Sequence, residues 1–291
     1  MESLVSLART GFFEEPHDSP LFARRDVIKA ARNRSRRRIW SRAIHAEALA
    51  AGVVMCTVTW LRTADGYTLL CNRDERTTRL PAHGPQINER RGVRYVAPVD
   101  GDHGGSWIGV NEFGLSLCLL NRYGDLRIEA AKDYVSRGLL LIDLLDCHRT
   151  DSLKLRLNDF DLARFRPFIL LGVGKESAST LFQWNGVQLS VIPDAEGLVP
   201  LTSSSAREPG IATERTKQFE LLRTDELTES KLVEFHRSHL PQRGAYSVCM
   251  HREGASTVSL SQVRVSNGEI EFSYEAGAPC KSVGVEKVGL K

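Results

Sequence analysis

Two β-rich runs, Cys56-Thr57-Val58-Thr59-Trp60-Leu61-Arg62 and Tyr67-Thr68-Leu69-Leu70-Cys71-Asn72, flank the turn Thr63-Ala64-Asp65-Gly66. β-branched and aromatic residues bounded by a Gly-containing turn favour paired strands. Parallel strands need a crossover of about a dozen residues, so a connection this short makes the pair an antiparallel hairpin. A lone hairpin is marginal in water, and the rest of the chain must supply more sheet and a core to hold it.

The downstream pattern fits that demand. Further strands are expected at 93–98, 106–110 and 114–121, the last two joined by Asn111-Glu112-Phe113-Gly114. Residues 79–92, rich in Arg, Pro and Gly, read as a loop that covers or lines a site. A helical stripe of Val135, Leu139, Ile142 and Leu145 predicts a helix over 134–148, and a weaker one covers 151–163. Strands resume at 168–174, 179–184 and 187–193, with Asn185-Gly186 as a strong hairpin signal. Helices follow near 211–223 and 228–239, then strands at 245–250, 256–265 and 269–274, with Ser266-Asn267-Gly268 as a turn. Hairpin-linked strands separated by helical blocks predict an α+β fold with antiparallel sheets.

The composition, 42% hydrophobic and 26% charged over 291 residues, is that of a globular chain. No run approaches the ~18 apolar residues of a membrane helix, so no stable membrane insertion is expected. Residues 1–54 carry ten Arg/Lys against six Asp/Glu, leaving 29 against 30 for the remainder. The basicity therefore belongs to the extension, and a nucleic-acid partner is not expected. Residues 1–54 are expected to be a disordered extension, a removable pro-segment or residues ahead of a true start at Met55, with one domain over 55–291. The six cysteines, at 56, 71, 118, 147, 249 and 280, form no C-x-x-C pair and are expected to be reduced thiols in a cytoplasm.

Cys56 follows Met55, so removal of the preceding residues would give it a free α-amine. An α-amine titrates near ~7.7–8.0 and a free thiol near ~8.5, so one residue can supply both nucleophile and base. Asn72-Arg73-Asp74-Glu75 ends the partner strand near the start of the first. Alternation sends Arg73 to one face and Asn72 and Asp74 to the other. Arg73 is expected to lower the thiol pKa, and Asp74 to orient the amine or Arg73. The remaining residues offer less. Gly105-Ser106-Trp107-Ile108-Gly109 is no nucleophile elbow, and glycines 101, 104 and 105 form no phosphate-binding fingerprint. Trp107 is expected to anchor the core or floor a pocket. His236 and His239 read as a solvated helix face, and Cys249 with His251 as a core pair, so no metal or other cofactor is expected.

Met55-Cys56, Asn72-Arg73-Asp74-Glu75, Gly104-Gly105-Ser106-Trp107, Asn111-Glu112-Phe113-Gly114, Leu119-Leu120-Asn121-Arg122-Tyr123 and Tyr246-Ser247-Val248-Cys249-Met250-His251 together resemble the NRDE family, also called the transport and Golgi organisation family. The similarity runs from residue 55 to about residue 275. More distantly the order is similar to the choloylglycine hydrolase and penicillin V acylase group of N-terminal-nucleophile hydrolases. That resemblance implies a four-layer αββα sandwich and amide hydrolysis or acyl transfer on a small-molecule substrate. It assigns Cys56 as nucleophile, Arg73 and Asp74 as a supporting pair, Asn121 as oxyanion donor and Arg215 as a late catalytic Arg. Asn72, Trp107 and Ser203 would contact substrate, Ser203 standing where those hydrolases carry Asn. The alternative implied by the family is a non-catalytic carrier of a hydrophobic ligand, haem or lipid, in trafficking or haem homeostasis.

Overall fold

The computed structural model describes residues 54–123, 133–175, 177–203, 208–224, 226–282 and 284–291. The expectations for residues 1–53 lie outside the described residues. The opening hairpin is present. β1 (Thr57–Thr63) and β2 (Gly66–Arg76) pair antiparallel from Thr57↔Asn72 to Thr63↔Gly66. A Cβ on Gly66 would lie 1.9 Å from the Val265 carbonyl oxygen, so glycine is needed here to admit the next strand.

That strand is β12, and it comes from far along the chain. The first sheet runs β10-β1-β2-β12-β13-β14, with β11 on β12. It is built from β10 (Leu201–Thr202), β11 (His251–Arg252), β12 (Ala255–Ser266), β13 (Glu269–Ala276) and β14 (Glu286–Leu290) beside the hairpin. The turn between β12 and β13 places Asn267 and Gly268 at positive φ, as an Asn-Gly hairpin requires. The second sheet is a meander in chain order: β3 (His83–Arg90), β4 (Val93–Val99), β5 (Ile108–Asn111), β6 (Ser116–Asn121), β7 (Phe168–Val173), β8 (Thr180–Trp184) and β9 (Leu189–Ile192).

Apolar side chains decide the layers. Val58, Trp60, Leu69 and Phe272 of the first sheet meet Val110, Leu120, Leu171 and Leu181 of the second in one core. The outer face of the second sheet buries Leu140, Leu141 and Leu144 of α1 (Arg137–Leu144) and Leu153 and Leu157 of α2 (Thr150–Asn158). The outer face of the first sheet takes Phe219 of α3 (Pro209–Leu222) and Leu232 and Phe235 of α4 (Glu229–Arg237) against Leu70 and Leu260. The result is an αββα sandwich with antiparallel sheets, as expected. None of the described helices is long and apolar enough to cross a membrane.

Three local expectations are corrected. Residues 83–90, read as loop, form an edge strand whose mostly exposed polar side chains carry no apolar alternation. Residues 245–250, read as strand, are irregular, because the carbonyls of Ala245, Ser247 and Val248 accept from Arg215 and Asn72 rather than from a neighbouring strand. The helix expected over 134–148 is confined to α1, and the weaker one over 151–163 to α2 and a short 3-10 turn at Leu162–Arg164.

Candidate active site

Cys56 immediately precedes β1. The Ser203 N–H donates to its carbonyl at 3.0 Å, extending the Thr57↔Thr202 pairing by one step. The alternation that buries Val58 and Trp60 between the sheets also packs the Cys56 side chain against that core, half-buried at its edge. The thiol lies 3.8 Å from the Asp74 carbonyl oxygen. Burial pushes the thiol pKa well above its ordinary value, and Cys71 and Asp74 add to the rise.

The Asn72–Glu75 cluster is split by the strand. Arg73 faces the inter-sheet core, its guanidinium 4.2 Å from the centre of the Trp107 ring, and pairs with Asp100 and with Glu75 at 3.6 Å. The expected lowering of the thiol pKa by Arg73 is therefore corrected: these two carboxylates neutralise its charge, and desolvation dominates at Cys56. Trp107 is seated by its two preceding glycines. Gly104 has φ +68°, and a Cβ on Gly105 would lie 2.4 Å from the Gly138 carbonyl carbon in α1.

Asn72 and Asp74 turn to the helical side. Asn72 Nδ2 donates to the His236 carbonyl at 2.8 Å and the Val248 carbonyl at 3.0 Å. Asp74 accepts from Arg215 Nη2 at 3.2 Å and from Thr257 Oγ1 at 2.6 Å. Burial raises the Asp74 pKa to about 6 against the lowering pull of Arg215 and Thr257. Arg73 and Asp74 thus do not pair with each other, because successive strand residues face opposite ways.

Arg215, on α3, is 1% exposed. Its Nη1 donates to the Met55 carbonyl and to Thr57 Oγ1, each at 2.6 Å, and its Nη2 also donates to the Ser247 carbonyl at 2.8 Å. Asn121, at the end of β6, donates from Nδ2 to the Tyr123 hydroxyl at 2.8 Å, and Tyr123 in turn donates to the Val54 carbonyl at 3.1 Å. Burial pushes the Tyr123 phenol up to about 12, with Cys56 and Glu75 adding. The two carbonyls ahead of Cys56 are therefore held by Tyr123 and Arg215.

Ser203 is buried beside Cys56 through its backbone, and its Oγ has no hydrogen-bond partner. The indole Nε1 of Trp107 and Oδ1 of Asn72 are buried and unpartnered too. Tyr123, Thr57, Thr257, Asp100 and Ser247 were not singled out from sequence. Tyr123 had a signal, lying two residues past Asn121 at the same strand end. Ser247 stood in the Tyr246–His251 motif with no role assigned, and Asp100 had no signal, since it arrives from an irregular segment. A depression of about 200 Å³ lined by Val233, Arg237, Gln262, Arg264, Glu271 and Glu275 lies on the helical side of the first sheet, away from Cys56.

A sequence profile described as Transport and Golgi organisation 2 matches residues 55–240. No curated protein is matched by the chain. Among solved structures, the chain is similar to penicillin V acylase from Agrobacterium tumefaciens, with 10% identity and a TM-score of 0.50 over 81% of this chain and 86% of that one. It is also similar to a Caenorhabditis elegans N-acylethanolamine-hydrolyzing acid amidase ortholog, with 15% identity and a TM-score of 0.53 over 71% of this chain and 91% of that one. At these identities the likeness shows a shared fold.

Proposed function

Because the chain belongs to the Transport and Golgi organisation 2 family and has the fold of two amide-cleaving enzymes, we propose that it hydrolyses or transfers the acyl group of a small-molecule amide through Cys56. The observation that carries this reading is the set of donors converging on the backbone just ahead of that cysteine. Arg215 holds the Met55 carbonyl, and Tyr123, backed by Asn121, holds the Val54 carbonyl. With Cys56 as the amino terminus, those donors are released to face a substrate carbonyl.

The Cys56 α-amine takes the thiol proton, and the sulfur attacks the amide carbonyl carbon. Asn121 and a backbone N–H stabilise the oxyanion. The C–N bond breaks, the leaving amine takes the proton, and water or an acceptor amine then cleaves the thioester and restores the thiol. Asp74 and Arg215 position the start of β1. Ser203 and Trp107 bring unpartnered polar atoms that a substrate can satisfy, whereas Asn72, turned to the helical side, holds the His236 and Val248 carbonyls.

The test compares the full chain with a form beginning at Cys56, verified by intact mass, using an acylating cysteine probe. The expected outcome is labelling at Cys56 in the shortened form, lost in Cys56→Ala and absent from the full chain. Folded Cys56-start protein that stays unlabelled overturns the proposal. A second reading, a carrier of a hydrophobic ligand such as lipid or haem, draws on the protonated, half-buried thiol at the edge of an apolar core. It expects Cys56→Ala to retain every property of the parent.

A further inference from the structure

Away from Cys56, the fold gathers four side chains from distant positions. His239 follows α4, Cys249 and His251 flank the start of β11, and Cys280 lies in the turn after β13. One ligand atom from each lies within 4.8 Å of all the others. His251 Nε2 is 3.5 Å from Cys249 Sγ and 3.4 Å from Cys280 Sγ. The rings of His239 and His251 lie 5.2 Å apart between centroids, tilted by 58°. Both sulfurs are free thiols, and His239 Nε2 is buried with no hydrogen-bond partner.

We propose that His239, Cys249, His251 and Cys280 form a structural zinc site. Two thiolates and two imidazoles are a closed tetrahedral donor set for Zn²⁺. With Zn–S near 2.3 Å and Zn–N near 2.0–2.1 Å, tetrahedral geometry puts sulfur and nitrogen about 3.6 Å apart, close to the two distances found. The two thiolates balance the charge of the ion, so Arg243 and Lys281, whose charges act on His251, face a neutral centre. Binding replaces the two thiol protons and releases them to solvent. A metal at His251 Nε2 leaves the proton on Nδ1, so the exposed Arg243, whose Nη2 lies 3.4 Å from that nitrogen, turns away.

The role follows from what the ligands are tied to. Residues 245–249 form no strand, yet the carbonyls of Ser247 and Val248 hold Arg215 and Asn72. A metal clamped at Cys249 and His251 fixes that segment from its far end and joins it to the end of α4 and the turn after β13. The periodic pattern of the sequence hid this set, since Cys249 and His251 read as a core pair and Cys280 stands 29 positions beyond His251.

The experiment uses the full chain, reconstituted with Zn²⁺ and separately with Co²⁺ under reducing conditions and then freed of excess metal. The expected result is one tightly held zinc per chain, and the thiolate-to-cobalt charge-transfer band and intense visible bands of a tetrahedral site. Cys280→Ser, at an exposed turn position, should fold like the parent by circular dichroism. It should weaken zinc binding by more than the roughly 10–100-fold that loss of a supporting contact around a metal costs. His239→Ala should act likewise on the cobalt spectrum. Substoichiometric zinc in folded parent protein, or cobalt bands unchanged in both variants, overturns the proposal.

Discussion

Arg215 and Asp74 are an ion pair almost wholly removed from water, at 1% and 0% side-chain exposure. Removing one partner of such a pair leaves an uncompensated charge, at a cost of about 3–5 kcal/mol. Arg215→Ala is therefore expected to destabilise the protein on that scale at pH 7 and by clearly less at pH 4, where a protonated Asp74 needs no partner; urea midpoints at the two pH values check this. Asp74 itself has a folded pKa of about 6 against an unfolded value near ~3.9. The folded state thus holds the proton more tightly, and Asp74 makes the fold less stable as pH rises from about 4 to about 6, by on the order of 3 kcal/mol across that window. Asp74→Asn should flatten this limb of the stability curve, and an unchanged limb would count against the assignment. Cys56 and Asn72–Glu75 could be picked out from sequence because the Met-Cys start and the charged end of the partner strand mark them, whereas Asn121 was marked only by the family resemblance. Arg215's ties to Met55, Thr57 and Ser247 could not, since they join residues 32 to 160 positions apart.

At the level of elements, turn chemistry carried most of the readable information. Asn111 shows why: its Oδ1 accepts from Phe113 N and Leu115 N, while its Nδ2 donates to the Leu145 and Cys147 carbonyls just past α1. The Asn111–Gly114 turn therefore also anchors the end of a helix. Strands that bury one face were legible from their apolar residues, but β3 lies at a sheet edge among largely polar side chains, and β14, at the edge of the other sheet, offers only Val288 and Leu290 to the core, too short a pattern to stand out. The contact between Gly105 and α1 yields a prediction at this scale. A Cβ on Gly105 would lie 2.4 Å from the Gly138 carbonyl carbon and 2.6 Å from Leu139 N, both backbone atoms that cannot swing aside. Gly105→Ala is expected to cost about 1–3 kcal/mol by overpacking, read as a lowered thermal midpoint. It should also loosen the seat of Trp107 beneath Arg73, read as altered indole fluorescence.

Taken whole, the molecule joins two sheets of different connectivity. The second sheet, β3 to β9, pairs each strand with its neighbour in sequence, whereas the first lays β2 against β12, with register partners such as Asn72 and Leu260. Local pairings close small loops and form early, and distant ones wait on chain entropy. Pulse-labelled hydrogen exchange during refolding should therefore find amides of the β5–β6 and β7–β8 hairpins protected before those of β12 that pair with β2; the reverse order would refute this reading.

The route of β12 also sets a timetable during synthesis. Thr257, which donates to Asp74, and Ser247, which accepts from Arg215, leave the ribosome long after Cys56 does. Because a chain emerges from its amino end, the cysteine waits in an unfinished sheet until about residue 260 has been made. A nascent chain therefore carries the thiol long before it has its surroundings, and the proposed nucleophile gains its neighbours only as the last strands dock.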